Sequence, residues 1–171
     1  KRYGKYDRRG KIKDRVSIDE RPEIVNKKER CGDWEADLIV GKKNKDAILT
    51  IVERKTLFTI ITKTDGKKAD SIKNRMINGL APYKDFVYTI TTDNGTEFTE
   101  HKTIADKLEA EYYFAHPYSS WERGLNENTN GLIRQYIPKK ISFENITQDF
   151  INIVSNKLNN RPRKSLCFKT P

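Results

Sequence analysis

The sequence contains little cysteine and histidine for its length of 171 residues. Its two cysteines, Cys31 and Cys167, lie far apart and form no CxxC pair, and His101 and His116 are the only histidines. Because structural zinc sites are built from clustered Cys and His ligands, a zinc-stabilised fold is not expected. A chain of this length can be stable without disulfides, so we expect a reducing environment such as the cytoplasm.

Long hydrophobic runs are also missing. The longest aliphatic stretch, AILTIV from residue 47, is far too short to cross a bilayer, so we expect no membrane partner. No signal peptide opens the chain. The first residue is Lys rather than Met, which leads us to expect an excised fragment of a longer protein.

What the sequence has in excess is positive charge, +10 overall, and this charge is concentrated at the two ends. Residues 1–30 carry twelve Lys or Arg against six Asp or Glu, and residues 131–171 carry eight against two, so each end carries +6. Residues 31–130 carry fourteen Lys or Arg against sixteen Asp or Glu, which gives a net charge of −2. A weakly acidic centre between basic ends favours nucleic acid as the partner, although a basic protein without that partner would show the same totals.

The hydrophobic pattern predicts one α/β domain, a mixed sheet covered by helices. Residues 1–30 have few apolar positions, and we interpret them as a basic linker or arm ahead of a core over residues 31–171. Three strands in a meander are predicted first, with KKNK as the loop between the first two. The predicted strands are DWEADLIVG, DAILTIVERK, LFTIITKT, FVYTITTD and YYFA, and the predicted helices cover residues 67–80, 99–109, 121–136 and 147–160.

Three acidic residues alternate with apolar residues in the first predicted strand. Since a strand points alternate side chains to opposite faces, Asp33, Glu35 and Asp37 would share one face. Like charges this close are unfavourable unless water or a cation screens them. Asp37 lies deepest in the strand, where Asp is disfavoured, so it is the strongest candidate for a metal ligand. A face that is simply wet is the alternative.

Two further acids lie in polar motifs. Asp93 follows a buried strand in TTDNGTEF, although Asp-Asn-Gly is also an ordinary turn sequence. Glu127 lies in GLNENTNG, a poor intrinsic helix, and Arg134 follows seven residues later on the same helical face. An exposed polar helix would show this pattern too. Together with Asp37, these carboxylates would suit Mg²⁺ or Mn²⁺, and a pair of such ions can promote phosphodiester chemistry.

Three blocks of the sequence resemble a known family. GDWEADLIVG, TTDNGTEF and HPYSSWERGLNENTNGLIRQYIPK resemble the catalytic domain of IS30-family insertion-sequence transposases and, more distantly, retroviral integrases. The resemblance runs from about Lys28 to the end of the chain. It implies a ribonuclease-H-like fold with a mixed five-stranded sheet. It also implies a DDE triad of Asp37, Asp93 and Glu127 that binds two Mg²⁺ ions, with Mn²⁺ as a substitute.

The resemblance implies a transposase that hydrolyses a phosphodiester at the transposon end and joins the freed 3′-OH to target DNA. A non-catalytic DNA-binding or assembly module, or a nuclease that cuts without joining, is the alternative. We expect a bacterial cytoplasmic, nucleoid-associated protein, a homodimer or higher multimer, and a fragment without the family's N-terminal helix-turn-helix region. The residues predicted to contact DNA are Arg134, Asn126, Asn130, Trp121, Lys139 and Lys140.

Overall fold

The computed structural model describes residues 12–42, 46–117 and 119–171. Within these ranges the chain forms an α/β domain with short 3-10 helices between its main elements. The strands are β1 (Asp33–Val40), β2 (Ala47–Glu53), β3 (Thr59–Thr64), β4 (Thr89–Thr92) and β5 (Glu111–Phe114). The helices are α1 (Glu23–Lys27), α2 (Ala69–Leu80), α3 (His101–Leu108), α4 (Gly124–Ile133) and α5 (Gln148–Asn159).

The five strands form one sheet in the order β3-β2-β1-β4-β5. Strands β1, β2 and β3 pair antiparallel, whereas β4 pairs parallel to both β1 and β5. The predicted meander and the predicted mixed sheet are therefore confirmed. Residues 43–45, which belong to the predicted KKNK loop, lie outside the described residues.

The sheet has a hydrophobic core on each face. On one face Trp34 and Ala36 of β1 pack with buried apolar residues of α2 and α3. On the other face Ile39 packs with residues of α4 and α5. Because β1 alternates, the acidic residues that share a face with Ile39 point towards the side covered by α4 and α5. The helix residues of the two cores are Ile72, Met76, Leu80, Ile104 and Leu108 on the first face and Ile133, Ile151, Val154 and Leu158 on the second.

Helix α5 closes the edge of the sheet at β3 with polar side chains. Asn159 exchanges two hydrogen bonds with the backbone of Thr59, at 2.9 and 2.8 Å. At the start of the helix, Gln148 Oε1 accepts a hydrogen bond from the backbone N–H of Lys63 at 2.9 Å. The backbone groups that β3 turns away from β2 therefore find partners on the helix.

Residues 12–30 differ from the predicted arm, because they lie against the domain. Val25 is fully buried and Ile12 packs into the first core. The backbone N–H of Phe114 donates to Val16 at 2.9 Å, so this segment also covers the edge of the sheet at β5. The few apolar residues of this segment are too widely spaced to show a period, yet Ile12, Ile18 and Val25 are buried. Residues 1–11 lie outside the described residues.

No helix in the described part of the chain is long and apolar enough to cross a membrane. Cys31 and Cys167 are free thiols on the surface.

Candidate active site

The acidic residues of β1 do share one face, but they have different surroundings. Asp33 is fully buried and accepts hydrogen bonds from Arg30 Nη2 at 2.9 Å and from the Thr89 hydroxyl at 2.8 Å. Glu35 is also buried and forms an ion pair with Arg54. These two carboxylates therefore have arginine partners of their own, and the face is not simply wet.

The Glu35 carboxylate ties three elements together. Its Oε2 accepts from the backbone N–H of Asn126 in the first turn of α4 at 3.1 Å, while Oε1 contacts Arg54, which follows β2. Arg54 Nε in turn donates to the carbonyl of Val25 at 3.1 Å. Burial raises the pKa of Glu35, and the Arg54 charge acts in the opposite direction. This pair fixes the start of α4 against β1.

Asp37 on β1 and Asp93 just after β4 lie at the same end of two neighbouring parallel strands. Asp33 pairs with Thr89 and Glu35 with Thr91, so the same register carried two residues further brings Asp37 level with Asp93. Asp93 follows the last residue of β4 directly. Parallel pairing of β1 and β4 thus brings together two acids that are far apart in the sequence.

The Asp-Asn-Gly motif sets the direction of the chain after β4. Asp93 Oδ1 accepts from the backbone N–H of Gly95 at 2.9 Å, and the Asn94 side chain donates to the carbonyl of Ala115. A Cβ at Gly95 would lie 2.9 Å from Asp93 Oδ1 and 2.6 Å from Glu97 Cδ. The glycine therefore allows the turn to close tightly around the Asp93 carboxylate.

Arg123 lies between the two aspartates. Its Nη1 is 3.2 Å from Asp37 Oδ1 and its Nη2 is 3.6 Å from Asp93 Oδ2. The side chains of Asp37 and Asp93 are 24% and 41% exposed, so this cluster opens to solvent whereas Asp33 and Glu35 do not. Two carboxylates here share one guanidinium.

The shared guanidinium does not fully offset the burial of Asp37. Burial raises the pKa of the Asp37 carboxyl, Arg123 lowers it, and the neighbouring Asp93 carboxylate raises it again. The half-open cluster has one guanidinium for two carboxylates. Carboxylate oxygens are the donors that Mg²⁺ and Mn²⁺ prefer, so the donor type of Asp37 and Asp93 fits a divalent cation.

Helix α4 brings one predicted residue to Asp37 and leaves another at the surface. Asn130 Nδ2 donates to Asp37 Oδ2 at 2.8 Å, and Asn130 Oδ1 accepts from the Thr50 hydroxyl at 3.0 Å. Glu127, one turn earlier, is exposed. In the described ranges no three His, Cys, Asp or Glu side chains are grouped to hold a metal ion, so Glu127 is not brought together with Asp37 and Asp93.

The predicted DNA-contacting residues fall into two groups. Trp121 is 73% exposed, Lys139 and Lys140 are exposed, and Arg134 donates to the carbonyl of Val40 at 3.2 Å. Asn126 is fully buried, with neither side-chain polar atom bonded to a described residue. A direct DNA contact by Asn126 would require the start of α4 to move.

The α-helix in this region begins later and ends earlier than predicted. The predicted helix over residues 121–136 is a 3-10 helix at Ser120–Arg123 followed by α4, which ends at Ile133. The Glu122 side chain turns to His116 instead. It accepts a hydrogen bond from the backbone N–H of His116 and contacts the ring Nδ1 of the same residue, both at 2.8 Å. His116 Nε2 is 2.9 Å from Asp19. These contacts hold the turn that presents Arg123.

Sequence reasoning missed Arg123, whose neighbours in WERG gave no sign of its role. A basic residue among acids and amides reads as part of a polar helix face. Only the packing of the 3-10 helix onto the end of β1 shows that its guanidinium reaches both aspartates. The pairing of Glu35 with Arg54 was missed for the same reason, since Glu35 lies on β1 and Arg54 lies in the turn after β2.

Comparison with known proteins gives close relatives. The chain is 54% identical over 171 residues to the transposase for insertion sequence element IS4351 of Bacteroides fragilis, covering 100% of this chain and 52% of that protein. It is 41% identical over 155 residues to transposase InsI for insertion sequence element IS30A of Escherichia coli K12, covering 90% and 40%. The chain thus spans about half the length of these curated relatives. No protein-family model matches it.

A solved structure shares the fold. A chain of the cryo-EM structure of the simian T-cell lymphotropic virus intasome in complex with PP2A regulatory subunit B56 gamma matches with a TM-score of 0.65 and 21% identity. The match covers 81% of this chain and 52% of that chain. At this identity the likeness concerns the fold alone, and it confirms the predicted ribonuclease-H-like arrangement of five strands and flanking helices.

Proposed function

We propose that this chain, a member of the IS30 family of insertion-sequence transposases, is a catalytic core that cuts DNA at transposon ends and joins it to target DNA. The observation that carries the proposal is the pair of Asp37 and Asp93, which lie at the same end of two parallel strands and share a single guanidinium. In the reaction, water hydrolyses a phosphodiester and frees a 3′-OH, which then attacks a target phosphodiester. Neither step needs a covalent enzyme intermediate.

Asp37 and Asp93 would hold two divalent metal ions, Mg²⁺ or Mn²⁺. Glu127, which lies apart from them at the surface of α4, would have to approach them to complete the triad. When bound, such ions activate the attacking oxygen and stabilise the leaving one. Asn130 fixes the orientation of Asp37 through its hydrogen bond to Oδ2, and thereby leaves Oδ1 facing Asp93 and Arg123. The turn around Gly95 fixes Asp93 in the same way.

DNA would cross the open side of this cluster. The Trp121 ring, 73% exposed, offers a stacking surface for a base, and Arg134 offers a charged hydrogen-bond donor for a phosphate. Lys139 and Lys140 would add contacts to the backbone without reading sequence. Asn130 is committed to Asp37 and Thr50, so we assign it to positioning. Action on paired ends would require a homodimer or higher multimer.

The test is strand transfer by this chain. A labelled duplex with a recessed 3′-OH is incubated with supercoiled plasmid and Mn²⁺, and joined and nicked products are separated on a gel. We expect joining by the wild-type chain, and background levels for Asp37→Asn and Asp93→Asn. Asp85→Asn is the matched control, because it makes the same change at an exposed residue.

The other functions give different results in that experiment. Metal-dependent nicking that requires Asp93 but yields no joined product would indicate a nuclease on the same fold. DNA binding without any product that depends on Asp37 and Asp93 would indicate a binding or assembly module and would contradict the proposal. Glu127→Gln tests the third acid independently of the two aspartates. Full activity of that variant would show that Glu127 is not part of the triad.

A further inference from the structure

Arg123 makes a contact that the proposed chemistry does not account for. Its two terminal nitrogens lie 3.2 Å from Asp37 Oδ1 and 3.6 Å from Asp93 Oδ2, so one guanidinium spans two carboxylates. Its side chain is 11% exposed, which keeps this charge largely out of bulk water. A rigid, permanently charged fork of this kind can offset two neighbouring negative charges at once.

The fit of Arg123 is nevertheless incomplete. Its Nε is buried and has no hydrogen-bond partner among the described residues. Arg54 at the buried end of the same face differs, since its Nε donates to Val25 while Nη1 contacts Glu35. Buried donors are normally satisfied, so Arg123 gives up one hydrogen bond to stay between the aspartates. Arg123 Nη1 also donates a long hydrogen bond, 3.4 Å, to the carbonyl of Ala36. A guanidinium held mainly by charge and by one long hydrogen bond can leave when a stronger cation arrives.

The backbone that carries Arg123 is irregular. Arg123 is the last residue of the 3-10 helix Ser120–Arg123, and its backbone is not helical, with φ −123° and ψ 40°. A Cβ added to the next residue, Gly124, would meet no atom within 4 Å. The backbone next to Arg123 is therefore not confined by close packing at Gly124.

We propose that Arg123 is the counter-ion of Asp37 and Asp93 in the metal-free protein, and that a divalent cation must displace it. This inference rests on the proposed function, since it concerns the same pair of aspartates. Arg123 then holds the two carboxylates in register until the metal binds. Once displaced, its guanidinium is free to pair with a DNA phosphate, so metal and DNA would each favour binding of the other.

The first test measures Mn²⁺ binding without DNA and without turnover. Free Mn²⁺ is followed by electron paramagnetic resonance during titration of the wild type, Arg123→Ala and Arg134→Ala. We expect Arg123→Ala to bind Mn²⁺ at least about tenfold more tightly than the wild type, a change of about 1.4 kcal/mol. Arg134→Ala removes the same charge from a guanidinium that contacts carbonyl oxygens instead, and its affinity should stay close to that of the wild type.

Two further measurements do not depend on the alanine variant being folded. Arg123→Lys keeps the charge but can reach only one carboxylate well, so its Mn²⁺ affinity should lie between those of the wild type and Arg123→Ala. In the ¹⁵N-labelled wild type, the Nε–H resonance of Arg123 should shift as Mg²⁺ is added, over the same concentrations as the backbone resonances of Asp37 and Asp93. The Arg134 Nε–H resonance is the internal reference.

The outcomes separate this inference from the proposed function. Equal or weaker Mn²⁺ binding by Arg123→Ala, with clear binding by the wild type, overturns the displacement of Arg123 and leaves the metal site standing. Mg²⁺-dependent shifts at Asp37 and Asp93 with an unmoved Arg123 resonance overturn it as well. No Mn²⁺ binding by any variant overturns both the inference and the proposed metal site.

Discussion

One face of β1 carries two carboxylate–arginine clusters that differ in how charge is shared. At the buried end Glu35 has Arg54 to itself, and a backbone N–H of α4 completes its hydrogen bonds. At the open end Asp37 and Asp93 divide a single guanidinium. The charge of Glu35 is balanced by its own arginine, so this carboxylate serves the structure. Asp37 and Asp93 share one positive charge between them, so the pair can bind another cation. The comparison separates the acids that hold the fold from those that serve the site.

Glu35→Ala tests the buried end and should have the largest effect. It leaves the guanidinium of Arg54 buried without its partner, which typically costs about 3–5 kcal/mol of unfolding free energy. Urea denaturation followed by circular dichroism measures this loss. The double variant Glu35→Leu with Arg54→Leu should recover much of it, because no buried charge is then left unpaired. A single variant as stable as the wild type would show that the pair is not structural.

Asn130→Ala tests how the open end is held together. It removes the hydrogen bonds to Asp37 and Thr50, so we expect a loss of about 1–2 kcal/mol of unfolding free energy. Because Asp37 would lose its fixed orientation, Mn²⁺ binding should also weaken. Asn128→Ala, an exposed residue of the same helix, is the control. Unchanged Mn²⁺ affinity in Asn130→Ala would remove its positioning role.

Asp37→Asn tests the open end through the pH dependence of the free energy of unfolding. Burial raises the pKa of Asp37 in the folded state above the ordinary value of about 4. The protonated Asp37 carboxyl stabilises the folded state relative to the unfolded state. This stabilisation is complete below about pH 4 and is lost as the pH rises through the raised pKa. Metal-free Asp37→Asn should therefore become more stable relative to the wild type from about pH 4 upward, until the difference levels off. Urea denaturation at several pH values measures this, and a difference that shrinks with pH would contradict it.

His116→Gln should have the smallest effect, because His116 and its partner Asp19 are exposed to solvent. Glu122 and Asp19 raise the pKa of His116, so its stabilising contribution is present below about pH 6.5 and is lost as the pH rises through the raised value. We expect the melting temperature of the variant to lie slightly below that of the wild type at pH 6 and to match it at pH 9. An equal difference at both values would show that the charge of His116 is not involved.

The strands were predictable because the period-two pattern of DWEADLIV and the apolar run AILTIV carry a strong local signal. The same pattern correctly placed Asp33, Glu35 and Asp37 on one face. Position within the strand favoured Asp37 as a ligand, but the pattern did not reveal the partners Arg30, Arg54 and Arg123, which come from three other parts of the chain. Side-chain pairing across a sheet depends on register and on loop geometry, and neither is written in local composition.

The packing of residues 12–30 was missed for a related reason. Val25 is fully buried and Arg21 donates to Thr91, yet the segment looks like a solvated basic stretch. Isolated apolar residues among charges give no period, so only their contacts with β5 and the core show their role. In the same way Asn126 reads as a polar surface residue, although the packing of α4 on β1 buries it completely.

The covered edges of the sheet have a consequence for the behaviour of the protein at high concentration. Exposed edge strands invite pairing with strands of other molecules, which leads to aggregation. Here α5 blocks the β3 side with Asn159 and Gln148, and the segment around Val16 blocks the β5 side. These contacts therefore hinder backbone pairing between the edge strands of two copies. Self-association of this domain would have to use helix surfaces and loops, where side chains decide which copies meet.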